Sequence, residues 1–199
     1  MNRFLIIKTK PEAYREIVDL LKQLLGNNIN VLENDYLLIE HNYNNNLDIE
    51  NMLNSIVLEL MINMKAYLSS TNKIEEEKKL AINIIEDLTF GIFDFKRSLL
   101  EIKNFKYKEE ALDIILKSTG VSADFVKEFL EYDLNVSKAS KFMNYHRNTM
   151  IYKLDKLKSE SGFDLRNFKD AYILFSLINK WFLCILHIYL ILLFCIIEL

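Results

Sequence analysis

Glycine and proline are nearly missing from this chain, with four glycines and one proline among 199 residues. Such a chain has few places to make long loops, and helix is expected to dominate. Cysteine is almost as scarce. Cys184 and Cys195 both sit in an apolar C-terminal stretch. They have no zinc spacing and make no disulfide framework, so reduced cytosolic thiols are the expectation. The three histidines, His41, His146 and His187, are scattered. No metal site is therefore expected. The chain also lacks a glycine-rich phosphate loop, a nucleophile motif and a ligand cluster, so neither enzymatic activity nor a cofactor is expected. The opening MNRFLIIKTKPEAYREI has too short an apolar run for a secretory signal. The expected location is the cytoplasm.

Hydrophobic residues make up 51% of the chain and charged residues 27%, which is enough apolar material for a packed core. The net charge of −3 is unevenly spread. Residues 137–158 carry six bases, Lys138, Lys141, Arg147, Lys153, Lys156 and Lys158, against the single acid Asp155. Summed over the remainder of the chain, acids outnumber bases. One basic segment on an acidic chain marks where a polyanion would dock, although charge alone fits a solvated helix face equally well.

The local patterns predict a mainly α chain with a small N-terminal β-α-β-β unit (an α+β fold) and a C-terminal helix-turn-helix bundle. Phe4–Ile7 reads as a strand. Pro11 suits a first helical turn, Tyr14, Ile17, Val18, Leu21 and Leu25 follow at helical spacing, and Gly26 stops the helix. Asn30–Glu33 and Tyr36–Glu40 read as strands around an Asn34-Asp35 turn. After an Asn-rich loop, His41–Leu47, Asp48 can cap a helix. Its apolar stripe reads Ile49, Leu53, Ile56, Val57, Leu60, Met64 and Leu68. Ser69–Lys73 breaks the pattern. Helices are then expected over Ile74–Leu88, Ser98–Ile102 and Glu109–Lys117, with Thr119-Gly120 as a domain boundary. These readings divide the chain into an α+β region over 1–120, a helical module over 121–180 and an apolar tail over 181–199.

Beyond Gly120 the signals become dense. Ser122 can cap a helix whose apolar face is Phe125, Val126, Phe129 and Leu130, and Asp133–Val136 breaks it. Ser137 is read as the cap of a second, short helix to Met143. Asn144-Tyr145-His146 forms a tight turn, and a third helix runs over 147–161, stopped by Gly162. Ala139 and Ser140 are small enough for two helices to cross closely. Met150, Leu154 and Leu157 should face inward, against Phe142 and Met143. Asn148, Tyr152 and Lys156 should then face outward, flanked by Thr149 and Lys153. Asn pairs with adenine, Thr meets a thymine methyl and Lys reaches guanine or phosphate. Lys138, Lys141 and Arg147 suit phosphate contacts. Tyr145 and His146 complete the candidate surface from the turn, with His146 read either as a helix cap or as a phosphate donor. A basic helical hairpin within a bundle explains the same periodicity without DNA.

The run LNVSKASKFMNYHRNTMIYKLDKLKSESGFDLRNFKDAY resembles the C-terminal helix-turn-helix of the PucR/CdaR regulators. The resemblance rests on Asn135-Val136-Ser137, His146-Arg147-Asn148-Thr149-Met150, Tyr152-Lys153-Leu154 and Ser161-Gly162-Phe163-Asp164, and it spans roughly 122–180. Ser140 stands where Ala is usual, Met150 where Leu is usual and Lys153 where Arg is commoner. The resemblance implies a bacterial transcription factor, dimeric on double-stranded DNA, with a sensory region upstream. In many members that region is cyclase-like and inactive. Here it shows no GGDEF-like signature and no metal-binding acid pair, and its effector cannot be read.

Asn167, with Asp170 three residues on, marks a last helix with the stripe Ala171, Ile173, Leu174, Leu177 and Ile178. Trp181–Ile197 then runs for 17 residues without a formal charge. That length is the lower limit for a bilayer span. Three readings stay open for it: a membrane anchor, a dimerisation helix and a reading-frame accident. The alternative for the whole chain is a membrane-tethered or protein-interaction helical protein whose helix-turn-helix is vestigial.

Overall fold

The computed structural model describes residues 3–26, 29–33, 35–42, 46–117 and 119–179. It divides into two units, Met1–Tyr107 and Lys108–Leu199. The first is built on β1 (Arg3–Lys8), α1 (Tyr14–Leu25), β2 (Ile29–Glu33), β3 (Leu37–His41), α2 (Asn46–Leu60), β4 (Lys65–Leu68), α3 (Ile74–Ile84), β5 (Gly91–Asp94) and α4 (Phe95–Ser98). A 3-10 turn at Pro11–Ala13 leads into α1.

The sheet order is β2-β3-β1-β4-β5. The first four strands in that order pair antiparallel with their neighbours, with Leu5 opposite Ile39 on one side and Leu68 on the other. This is the split β-α-β arrangement of ferredoxin-like folds. β5 extends it by pairing parallel with β4, and α3 makes the crossover between them. The chain is thus α+β as expected, with five strands in the sheet rather than three.

β1 is apolar without alternation because both its faces are covered. Leu5 and Ile7 join a core with Ile17, Leu21, Ile49, Leu53 and Ile56 from α1 and α2. Phe4 and Ile6 point to the opposite face by the period of two. There Phe4 stacks on Tyr67 at 5.9 Å, and α3 packs against β1.

Several boundaries differ from the expectation. The stripe that seemed to run to Leu68 stops at Leu60. Met61 takes a positive φ of 50°, and the next residues cross into β4. Asp48 lies inside the first turn of α2 rather than capping it. α3 ends at Ile84, α4 is finished by Ser98, and α5 (Phe105–Leu116) starts earlier than expected. Among the described residues no helix is long and apolar enough to cross a membrane. The apolar tail over 181–199, with Cys184, His187 and Cys195, lies outside the described residues.

Glu77 is fully buried, and its carboxylate is the polar centre of this unit. It accepts from the Tyr67 hydroxyl (2.9 Å), the Ser70 and Thr71 backbone N–H groups (both 2.9 Å) and the Thr71 hydroxyl (2.6 Å). One side chain thereby ties α3 to β4 and to the loop between them. Burial, and then the charge of Glu77, hold the Tyr67 hydroxyl well above its ordinary range. Glu77→Ala leaves these donors unpaired inside the protein and is expected to cost about 3 kcal/mol. The check is a lowered urea midpoint at unchanged slope.

Candidate nucleic-acid interface

The second unit carries most of α5, followed by α6 (Ala123–Glu131), α7 (Val136–Phe142), α8 (Arg147–Ser161) and α9 (Phe168–Ile178). Side chains rather than glycines begin the last four helices. The Ser122 hydroxyl accepts from Phe125 N at 3.1 Å. The Asn135 side chain accepts from Ser137 N and Lys138 N, both at 3.0 Å. His146 Nδ1 accepts from Asn148 N at 3.3 Å, and Asn167 accepts from Lys169 N at 2.9 Å. Each satisfies N–H groups that a helix start leaves without partners. Asn135, not Ser137, is the cap of α7, and Ser137 lies within the helix.

The chain turns between α7 and α8 through Met143–His146. Asn144 adopts φ 54°, a left-handed seat that glycine often fills. The Tyr145 N–H closes the turn on the Ser140 carbonyl at 2.9 Å. The preceding corner, from α6 to α7, uses two left-handed residues in succession, Asp133 (φ 56°) and Leu134 (φ 58°).

Ala139 and Ser140 are buried on α7, and Met150, Leu154 and Leu157 are buried on α8. The two helices meet through this set, as the spacing predicts. Phe142 does not join it. The ring is 67% exposed and stacks on Tyr132 at 4.8 Å, on the α6 side of the corner, while Met143 is half-buried. α6 and α9 close the unit with Phe125, Val126, Phe129, Leu174 and Leu177. At the base, Lys108 on α5 donates to the Ser176 carbonyl at 3.3 Å, and burial lowers its pKa.

The opposite side of α7 and α8 is open. Arg147, Asn148, Thr149 and Tyr152 are exposed on the first turns of α8. Lys138, Lys141, Tyr145 and His146 are exposed beside them. Lys138 also pairs with Asp133 at 2.9 Å. Lys153 and Lys156 are arranged differently. The Lys153 ammonium lies 5.4 Å from the Phe125 ring centre and 5.5 Å from that of Tyr145, and these two rings meet edge-on. The Lys156 ammonium folds over Gly120, 3.5 Å from where a Cβ on that glycine would lie. Both lysines are half-buried. Eight of the ten expected contact residues are therefore exposed, and two lean back on the protein.

One cluster was not foreseen from the sequence. Arg166 pairs with Asp155 on α8 and with Asp164, both at 2.8 Å, and Lys158 reaches Asp164 at 3.1 Å. The Asp164 N–H donates to Asp170 at 2.9 Å. These bonds hold the α8–α9 connection, which begins at Gly162 (φ 77°). Alternating acids and bases were the only available signal, and their partners are not at helical spacing. The Arg166 hydrogen bond, aided by Lys158 and opposed by burial, lowers the Asp164 pKa to about 2. A carboxylate whose folded pKa is depressed stabilises the fold above its unfolded pKa and loses that contribution as pH falls through the folded one. The contribution of Asp164 is thus full above about pH 4 and gone near pH 2. Because solvent screens the partly exposed partners, about 1–2 kcal/mol is expected. Acid unfolding followed by circular dichroism should show this loss in the wild type. Asp164→Asn should show a flatter profile and lower stability at pH 7.

Uncharacterized protein YxkF of Bacillus subtilis (strain 168) is 29% identical over 90 residues, which are 44% of this chain. The chain spans 30% of that relative's length. The crystal structure of a regulator of polyketide synthase expression from Bifidobacterium adolescentis aligns with a TM-score of 0.49 at 17% identity. That alignment covers 88% of this chain and 78% of the other. The PucR C-terminal helix-turn-helix domain family matches residues 123–178, the stretch from α6 to the end of α9. Residues 123–178 are a PucR-type C-terminal helix-turn-helix domain.

Proposed function

We propose that the chain is a bacterial transcriptional regulator of the PucR/CdaR type that reads double-stranded DNA by laying α8 in the major groove. The observation that carries this reading is the exposed set Arg147, Asn148, Thr149 and Tyr152 on the first turns of a helix whose opposite face is fully buried. Recognition helices contact base edges mainly through their N-terminal residues. Asn148 is suited to the N6/N7 edge of adenine and Thr149 to a thymine methyl. Lys138, Lys141 and Arg147 flank them as phosphate contacts that set register without reading sequence.

His146 serves both the fold and the DNA in this reading. Its Nδ1 accepts the Asn148 N–H, so a neutral ring carries its proton on Nε2. That N–H is available to a phosphate at the start of α8. Tyr145 remains a candidate phosphate contact, and Lys153 and Lys156 reach DNA only by leaving their present places. The role is binding rather than catalysis, and it is exercised in the cytoplasm. A homodimer on half-sites about one DNA turn, ~34 Å, apart is the expected assembly.

The test is fluorescence anisotropy on fragments selected from the source genome, repeated across salt concentrations. Asn148→Ala is expected to cost about 1–3 kcal/mol on the selected site and nothing on random DNA. Arg147→Ala should weaken both and reduce the salt slope by about 1. Binding that ignores salt, or an Asn148→Ala protein that discriminates as well as wild type, would rule out this reading.

A further inference from the structure

The face of the second unit away from Asn148 holds a feature that DNA reading does not use. α9 is apolar on two sides. Ala171, Leu174 and Leu177 are buried in the unit's core. Phe168, Tyr172, Phe175 and Ile178 form a second stripe at helical spacing, with Phe168 75% and Tyr172 54% exposed. Opposite this stripe stand Leu130 and Leu134, and the three elements enclose a groove of about 680 Å³. Its charged groups are Lys127, Glu131 and Asp133. A helix apolar on both sides is ordinarily covered on both.

We propose that this groove is the docking site of the chain's own apolar segment, Trp181–Ile197. Continuity favours that occupant. Ile178 and Asn179 line the groove, and in the sequence one residue, Lys180, separates them from the segment. Asn179 has left helical geometry (φ −82°, ψ 100°), so the chain departs from the helix at the groove itself. Length is sufficient as well. Even at the 1.5 Å rise of a helix, 17 residues extend about 25 Å, against about 16 Å for α9. The segment carries no formal charge, so seating it buries none. A second copy of the chain could offer the same surface. A tethered segment, however, meets the groove at an effective concentration in the millimolar range, which a separate molecule does not reach.

The chain contains its own probes, because Trp181 is its single tryptophan and Cys184 and Cys195 are its only cysteines. In the 199-residue chain Trp181 fluorescence should be blue-shifted and shielded from acrylamide, independently of protein concentration. Phe168→Glu with Tyr172→Glu changes exposed residues and should leave the circular dichroism intact, while acrylamide quenching rises several-fold. Phe168→Cys should, on mild oxidation, form a disulfide within one chain to Cys184 or Cys195. Four results would overturn the proposal. They are disulfide-linked dimers as the main product, shielding that vanishes on dilution, shielding that appears only with phosphatidylcholine–phosphatidylglycerol vesicles, and a Trp181 already exposed in wild type.

Discussion

The close seating of α7 on α8 is the constraint on which the second unit depends. Ala139 and Ser140 are buried where the helices meet, and any larger side chain would hold them apart. Met150, Leu154 and Leu157 fill the contact from α8, which fixes the rotation of that helix about its axis. Fixing the rotation also fixes which residues face out. Asn148, Thr149 and Tyr152 are presented to solvent because three neighbours on the same helix are committed inward.

The parts of this unit that could be read from the sequence are those with a local cause. The buried triad follows from spacing on one helix, and the caps Ser122 and Asn167 follow from residue type at a helix start. Asn135 was mistaken for part of the break because Ser137, two residues on, is an equally good cap by composition. What separates them is where the corner at Asp133-Leu134 releases the chain. Phe142 was expected inside because it is aromatic next to an apolar helix, but Tyr132 offers it a partner outside. Lys153 and Lys156 show the limit of a helical wheel. The wheel gives the direction of a Cβ, whereas a long side chain can turn back to rings or backbone several ångströms away.

In the first unit the misreadings share a different cause. Ile56, Leu60, Met64 and Leu68 recur at a spacing of four, which a helix would use well. Met64 and Leu68 instead serve the sheet, since Lys65–Leu68 pairs with β1 and with β5. Pairing with a strand some sixty residues away leaves no trace in a local period. β5 is four residues long with no alternating pattern, and only its partner identifies it. β1, by contrast, was legible because burial on both faces makes a continuous apolar run.

The corner at Asp133 and Leu134 bears on how freely this sequence can drift. Two successive residues there sit in a backbone region that costs roughly 1–2 kcal/mol each for a side-chain-bearing residue. Glycine would relieve that cost, while loosening the unfolded chain by the smaller amount of about 0.4–1 kcal/mol. Stability alone would therefore favour glycine at either position. What singles out Leu134 is that it also lines the apolar groove, and what singles out Asp133 is its bond to Lys138. A lineage that lost both contacts would gain stability by exchanging these residues for glycine, and one that keeps them reveals what the corner is for.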